Sequence, residues 1–99
     1  MGEDGHFASL FPGAPGLASA LDANAPATCV ARRAPVAPTD RVSLNLAALA
    51  DARHLFLLVS GEGKRVLIES AMQQAPEISL PIAALLAVHD PVPEVYWAP

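Results

Sequence analysis

Asp4, Gly5 and His6 place an acid and an imidazole two residues apart, with Gly2 close before them. In an extended segment, side chains two apart leave the backbone on the same side, so carboxylate and ring can meet. Gly5 lacks a Cβ, which permits a sharp turn or a close approach to a ligand. A neutral imidazole beside a carboxylate is equipped as a general base, with the carboxylate fixing its tautomer. The same pair also occurs as an ordinary satisfied contact in a surface turn, and five residues do not choose between the two. Further along, Gly61-Glu62-Gly63-Lys64 stands at a strand-to-helix turn. There, backbone N–H groups, the helix dipole and a lysine can hold an anion. The spacing is not that of a Walker A loop, and a bare Lys64 reads equally as a solvated helix-end lysine. Arg41 has a planar fork that suits phosphate geometry, and as a bare residue it reads as a surface arginine.

These groups need elements to position them. Phe7, Leu10 and Phe11 fall at i, i+3 and i+4, which predicts one helical turn with a buried face, stopped by Pro12-Gly13. That turn would put His6 near a helix start, where the dipole disfavours imidazolium. Leu17 to Leu21 fits a further helical turn inside a surface connection. Thr28 to Ala34 reads as a short strand, with Cys29 a small buried hydrophobe and Arg32 and Arg33 on opposite faces. Pro35 and Pro38 exclude helix and predict an extended run into the strand Arg41–Leu44. Asn45 is a fair N-cap for a helix over 46–52, with Leu46 and Leu49 on one face.

His54 to Ser60 (HLFLLVS) is the clearest strand, and its apolar run predicts burial on both faces. Lys64 to Gln74 is the longest predicted helix, with Val66, Leu67, Ile68, Ala71 and Met72 on one broad face and Pro76 ending it. Leu80 to Val88 follows as a helix that tolerates Pro81 in its first turn, and His89-Asp90-Pro91 breaks it. Val92 to Trp97 is a final strand, which Pro93 demotes towards an edge or a strand end. Strands alternating with helices give an α/β class with parallel pairing.

Totals set bounds. Ninety-nine residues allow at most one small domain, and 53% hydrophobic with 16% charged residues is greasy for that length. No apolar run approaches the roughly 20 residues of a membrane span, and no secretory signal pattern opens the chain. One cysteine, Cys29, excludes an internal disulfide, and no Cys/His cluster has metal-ligand spacing. These features favour a cytoplasmic protein. A net charge of −4 argues against nucleic acid as partner, while a small anionic substrate needs only two well-placed cations.

The string GEDGHFASLFPG resembles the signature loop of the 6-phosphogluconolactonases, of the superfamily shared with glucosamine-6-phosphate deaminases. The resemblance implies a three-layer α/β/α fold with a mostly parallel sheet. It implies that His6 is the acid/base residue at the lactone and Asp4 the matching acid. Phe7 departs from the threonine usual there. The segment APVAPTDRVSLNLAAL resembles the family's proline-rich approach, which gives Arg41 a role at the substrate phosphate. A lysine at the strand-to-helix turn has the same role, which carries to Lys64. The closing VPEVYWAP resembles the tail of bacterial lactonases.

Members of the family are more than twice this length. Residues 1–99 are therefore expected to be the C-terminal part of such a domain, with the N-terminal half absent and apolar surface left uncovered. The expected activity is hydrolysis of 6-phosphoglucono-δ-lactone to 6-phosphogluconate in the pentose phosphate pathway, without metal or organic cofactor. Deaminases of the superfamily carry a glutamate a few residues after the histidine. Phe7-Ala8-Ser9-Leu10-Phe11-Pro12 holds none, which favours the lactonase. The alternative from another class is an inactive fragment or interaction module that self-associates through its uncovered face.

Overall fold

The computed structural model describes residues 1–73 and 80–99. The predicted helix end at Gln74 to Pro76 lies outside them. In chain order the elements are α1 (Leu17–Ala20), β1 (Cys29–Arg33), β2 (Asp40–Leu44), α2 (Leu46–Ala50), β3 (Phe56–Ser60), α3 (Glu62–Gln73), α4 (Pro81–Leu86) and β4 (Glu94–Ala98). β3 and β4 pair in parallel, Phe56 opposite Glu94 and Ser60 opposite Ala98, with α3 and α4 between them in sequence. β1 and β2 form a separate antiparallel pair, Cys29 opposite Leu44 and Arg33 opposite Asp40. The α/β class holds, with one parallel and one antiparallel pair in this chain.

The core gathers Phe7 and Leu10 of the opening loop, Leu17, Leu46, Leu57, Val59, Ile68, Ala71, Ile82 and Leu85. Leu10 and Ile82 are fully buried, so the opening loop is seated in the core rather than laid over it. Pro81 occupies the first position of α4, where its missing N–H costs nothing. The next N–H, of Ile82, is one of the orphan donors of a helix start and is taken by the Gly5 carbonyl at 3.0 Å.

Asn45 ties the antiparallel pair to α2. Its side-chain oxygen accepts from Ala48 N–H at 2.9 Å, the expected N-cap, and from Thr28 N–H at 3.1 Å. Its amide donates to the Pro26 carbonyl at 2.9 Å. Asn45 is itself buried and these hydrogen bonds are part-buried, so removing its side chain leaves three backbone groups without their protein partner. Asn45→Ala is expected to cost about 2 kcal/mol, from the lost cap and the orphaned partners. For a domain this size that lowers Tm by roughly 10 °C, read by circular dichroism.

Four expectations change. Residues 7–11 form no helix: Phe7 and Leu10 are bridged, Leu10 N–H donates to Phe7 C=O at 3.0 Å, and Ala8 has a φ of 49°. Phe7, Leu10 and Phe11 are all buried, because i, i+3 and i+4 also converge in a tight turn. Pro12 keeps Phe11 out of helical backbone and has no N–H to extend the turn. No helix dipole therefore acts on His6 from this segment.

Cys29 is exposed, because β1 alternates and its odd-numbered residues face outward. β3 also alternates: Leu57 and Val59 are buried, whereas Phe56 and Leu58 are 53% and 74% exposed. Only one face of that parallel pair is covered by helices here, and the open face continues through Tyr96 on β4. On α3, Ile68 and Ala71 are buried while Val66 and Met72 are exposed, a narrower stripe than the predicted face. Among the described residues, no helix is long and apolar enough to cross a membrane.

Candidate active site

Residues 2–6 close on themselves. Gly5 N–H donates to Gly2 C=O at 3.1 Å, and Gly2 N–H donates to His6 C=O at 2.8 Å. Gly5 takes a φ of 83°, the left-handed region where a Cβ would be strained. Within this ring of backbone, Asp4 Oδ1 lies 2.5 Å from His6 Nδ1 and also accepts the His6 backbone N–H at 3.0 Å. The ionised carboxylate can only accept, so Nδ1 carries the proton, and in the neutral imidazole Nε2 keeps its lone pair.

Partial burial pushes the Asp4 carboxyl up, but the hydrogen bonds from His6 and its charge outweigh this and hold the group below its ordinary value. Asp4 is therefore ionised at neutral pH. Because its folded value is depressed, its small contribution to stability is present at neutral pH and is lost as pH falls through that depressed range. The pair is half exposed, which limits that contribution.

The imidazole rests on Phe11, with ring centroids 4.4 Å apart and planes tilted by 36°. The Arg41 guanidinium lies over the same Phe11 ring, 5.7 Å from its centroid. Arg41 comes from β2, and β2 also holds the loop. Ser43, two residues on and therefore on the same face, accepts Ser9 N–H at 3.1 Å while donating to Leu44 C=O. Arg41 Nε donates to the Pro38 carbonyl at 2.7 Å, which fixes the fork. Among the described residues, its two terminal amino groups have no protein acceptor. His6, with Asp4 on its Nδ1, and Arg41 thus both lie against one phenyl ring.

Lys64 is not part of that cluster: no hydrogen bond, ion pair or ring contact among the described residues links it to His6, Asp4 or Arg41. It lies in the first turn of α3, half-buried. The turn before it is locked by β4: Trp97 Nε1–H donates to Gly61 C=O at 2.8 Å, and Gly61 N–H donates to Ala98 C=O at 3.0 Å. Arg65 stands 5.6 Å over the Trp97 ring and pairs with Glu62 and Glu69. Its hydrogen bond holds the Glu62 carboxyl below the usual range, and Glu62 itself complements the helix start. Lys64 has no ion pair among the described residues.

Arg32 stands opposite Arg41 on β1, and its guanidinium donates to the Pro15 carbonyl, pinning the α1 connection. Arg33 points away, exposed, with Asp40 at 3.9 Å. No three His, Cys, Asp or Glu side chains gather as a metal site needs among the described residues. Phe11 was read from the sequence only as an apolar position. Spacing alone carries no signal that it would lie between a base and a cation.

The family model for glucosamine-6-phosphate isomerases/6-phosphogluconolactonase matches residues 1–97. The chain belongs to this family. A 6-phosphogluconolactonase of Pseudomonas putida is 39% identical over 99 residues, which is 100% of this chain and 40% of the relative. One from Rhizobium meliloti is 36% identical over the same 99 residues, 43% of its length. The crystal structure of a 6-phosphogluconolactonase from Shewanella baltica superposes with a TM-score of 0.85 at 34% identity, covering 98% of this chain and 41% of that one. The chain spans about 40% of the length of the Pseudomonas putida relative.

Proposed function

We propose that this chain carries the acid/base and phosphate-holding residues for opening 6-phosphoglucono-δ-lactone to 6-phosphogluconate. The observation that carries this reading is the Phe11 ring flanked by the His6 imidazole and the Arg41 guanidinium. Through that ring the base and the cation are no further apart than a six-carbon sugar phosphate, hydrogen-bonded at both ends, can bridge. The names of the relatives support the same chemistry.

In this mechanism Arg41 grips the phosphate by charge-assisted hydrogen bonds and so fixes the lactone carbonyl near the imidazole. His6 Nε2 takes a proton from water as its oxygen bonds to the carbonyl carbon. The tetrahedral intermediate collapses with cleavage of the bond to the ring oxygen, and the imidazolium returns the proton to that oxygen. Asp4 keeps the imidazole in the productive tautomer and stabilises its cation. Lys64 is the second phosphate cation of this proposal, and its ammonium has no ion-pair partner among the described residues.

The experiment offers two substrates to the 99-residue chain, and to a version extended at its N-terminus with the remaining part of a related lactonase. Acid release from 6-phosphoglucono-δ-lactone is expected, with no ammonia release from glucosamine 6-phosphate. Ammonia release, or the absence of acid release from the extended version, overturns the reading.

A further inference from the structure

We infer that Gly2 is a positioning residue for His6: its missing side chain is the space in which the imidazole is seated against Asp4. A Cβ placed on Gly2 would stand 2.2 Å from His6 Cε1, 2.3 Å from His6 Nδ1 and 2.9 Å from Asp4 Oδ1. Those are the ring edge that faces the carboxylate and the oxygen it meets. The collision cannot be relieved by the backbone, because residue 2 is held on both sides, by its N–H to His6 C=O and by its C=O from Gly5 N–H. Nor can the ring retreat across the loop, since Phe11 lies 4.4 Å away at its face and is itself buried. Any side chain at position 2 therefore drives the imidazole away from Asp4.

Gly2 differs from Gly5 here. Gly5 takes a φ of 83° for the turn, with Leu80 and Ile82 at ordinary contact distance from its would-be Cβ. Gly2 does not take a positive φ, and the His6 ring, with the Asp4 carboxylate it meets, occupies the space a side chain would need. Alanine keeps both backbone hydrogen bonds and stiffens the unfolded chain slightly, so any loss it causes reports the side-chain collision.

The consequence for activity rests on the acid/base role given to His6 above, and the test separates the two. Gly2→Ala is expected to lower kcat by roughly 10²-fold, the loss that a misplacement of about 1 Å produces, with KM for the phosphorylated lactone within about twofold. Imidazole ¹⁵N signals of His6 should pass from the Nδ1–H form in the parent to a mixture of both tautomers. Two stability arms do not depend on catalysis. Gly2→Ala should lower the urea midpoint when His6 is present, and leave it unchanged when introduced into His6→Ala. A Gly2→Ala chain that keeps the Nδ1–H signal and the parent midpoint overturns the positioning role. If those arms behave as expected while neither chain opens the lactone, the positioning stands and the catalytic reading of His6 falls.

Discussion

His6→Gln is expected to lower kcat for lactone opening by about 10²- to 10⁴-fold, the range contributed by a positioned general acid/base. Glutamine approximates the volume and polarity of the imidazole, so the Phe11 ring keeps a neighbour and the 2–6 loop keeps its backbone hydrogen bonds. What it removes is the basic nitrogen at Nε2 that takes up the proton. With the phosphate held by Arg41, as proposed, KM should change by less than about threefold, since binding is shared between ground and transition states while proton transfer is not. Asp4→Asn should act in the same direction and less strongly. The amide offers an N–H or a C=O to Nδ1, so the tautomer is no longer dictated, yet the imidazole stays in place. Steady-state kinetics on folded variants checks both. An unchanged kcat in His6→Gln removes the imidazole from the mechanism.

Much of this arrangement was legible before the coordinates. Asn45 announced the start of α2, Pro81 the start of α4, and Pro93 the end at which β4 begins, because each of these residues acts on the backbone within a turn of itself. Asp4 and His6 were legible for the same reason: the contact spans two residues. Three of the four differences concern what lies on the far side of an element. The apolar run of β3 demanded cover on both faces, and Val66 and Met72 demanded it on α3, yet only one side of each is covered in this chain. Cys29 was small and apolar enough to bury, but strand alternation sent it outward. At Phe7 to Phe11 the spacing identified the buried residues correctly and the backbone wrongly, since a turn and a helix both bring i, i+3 and i+4 together. Pro12 decides between them, by denying Phe11 helical backbone.

Arg41→Ala is expected to raise KM for 6-phosphoglucono-δ-lactone by roughly 10- to 100-fold, the equivalent of losing about 1.5–3 kcal/mol of charged hydrogen bonding to phosphate. Arg41→Lys should recover part of this, because a lysine supplies the charge without the planar fork. A second term must be separated from the first. The guanidinium lies over Phe11, so truncating it also removes packing from the ring that supports His6. The unphosphorylated lactone separates the two, because it has nothing for Arg41 to grip. If Arg41 acts on the phosphate, its loss should leave kcat/KM for the unphosphorylated substrate within about threefold. If Arg41 acts only by bracing Phe11, both substrates should suffer equally, and in kcat rather than KM. Lys64→Ala, measured alongside, decides how many cations the phosphate meets. A rise in KM confined to the phosphorylated lactone puts the α3 turn within reach of the bound phosphate. No rise leaves Arg41 to hold it with groups outside that turn.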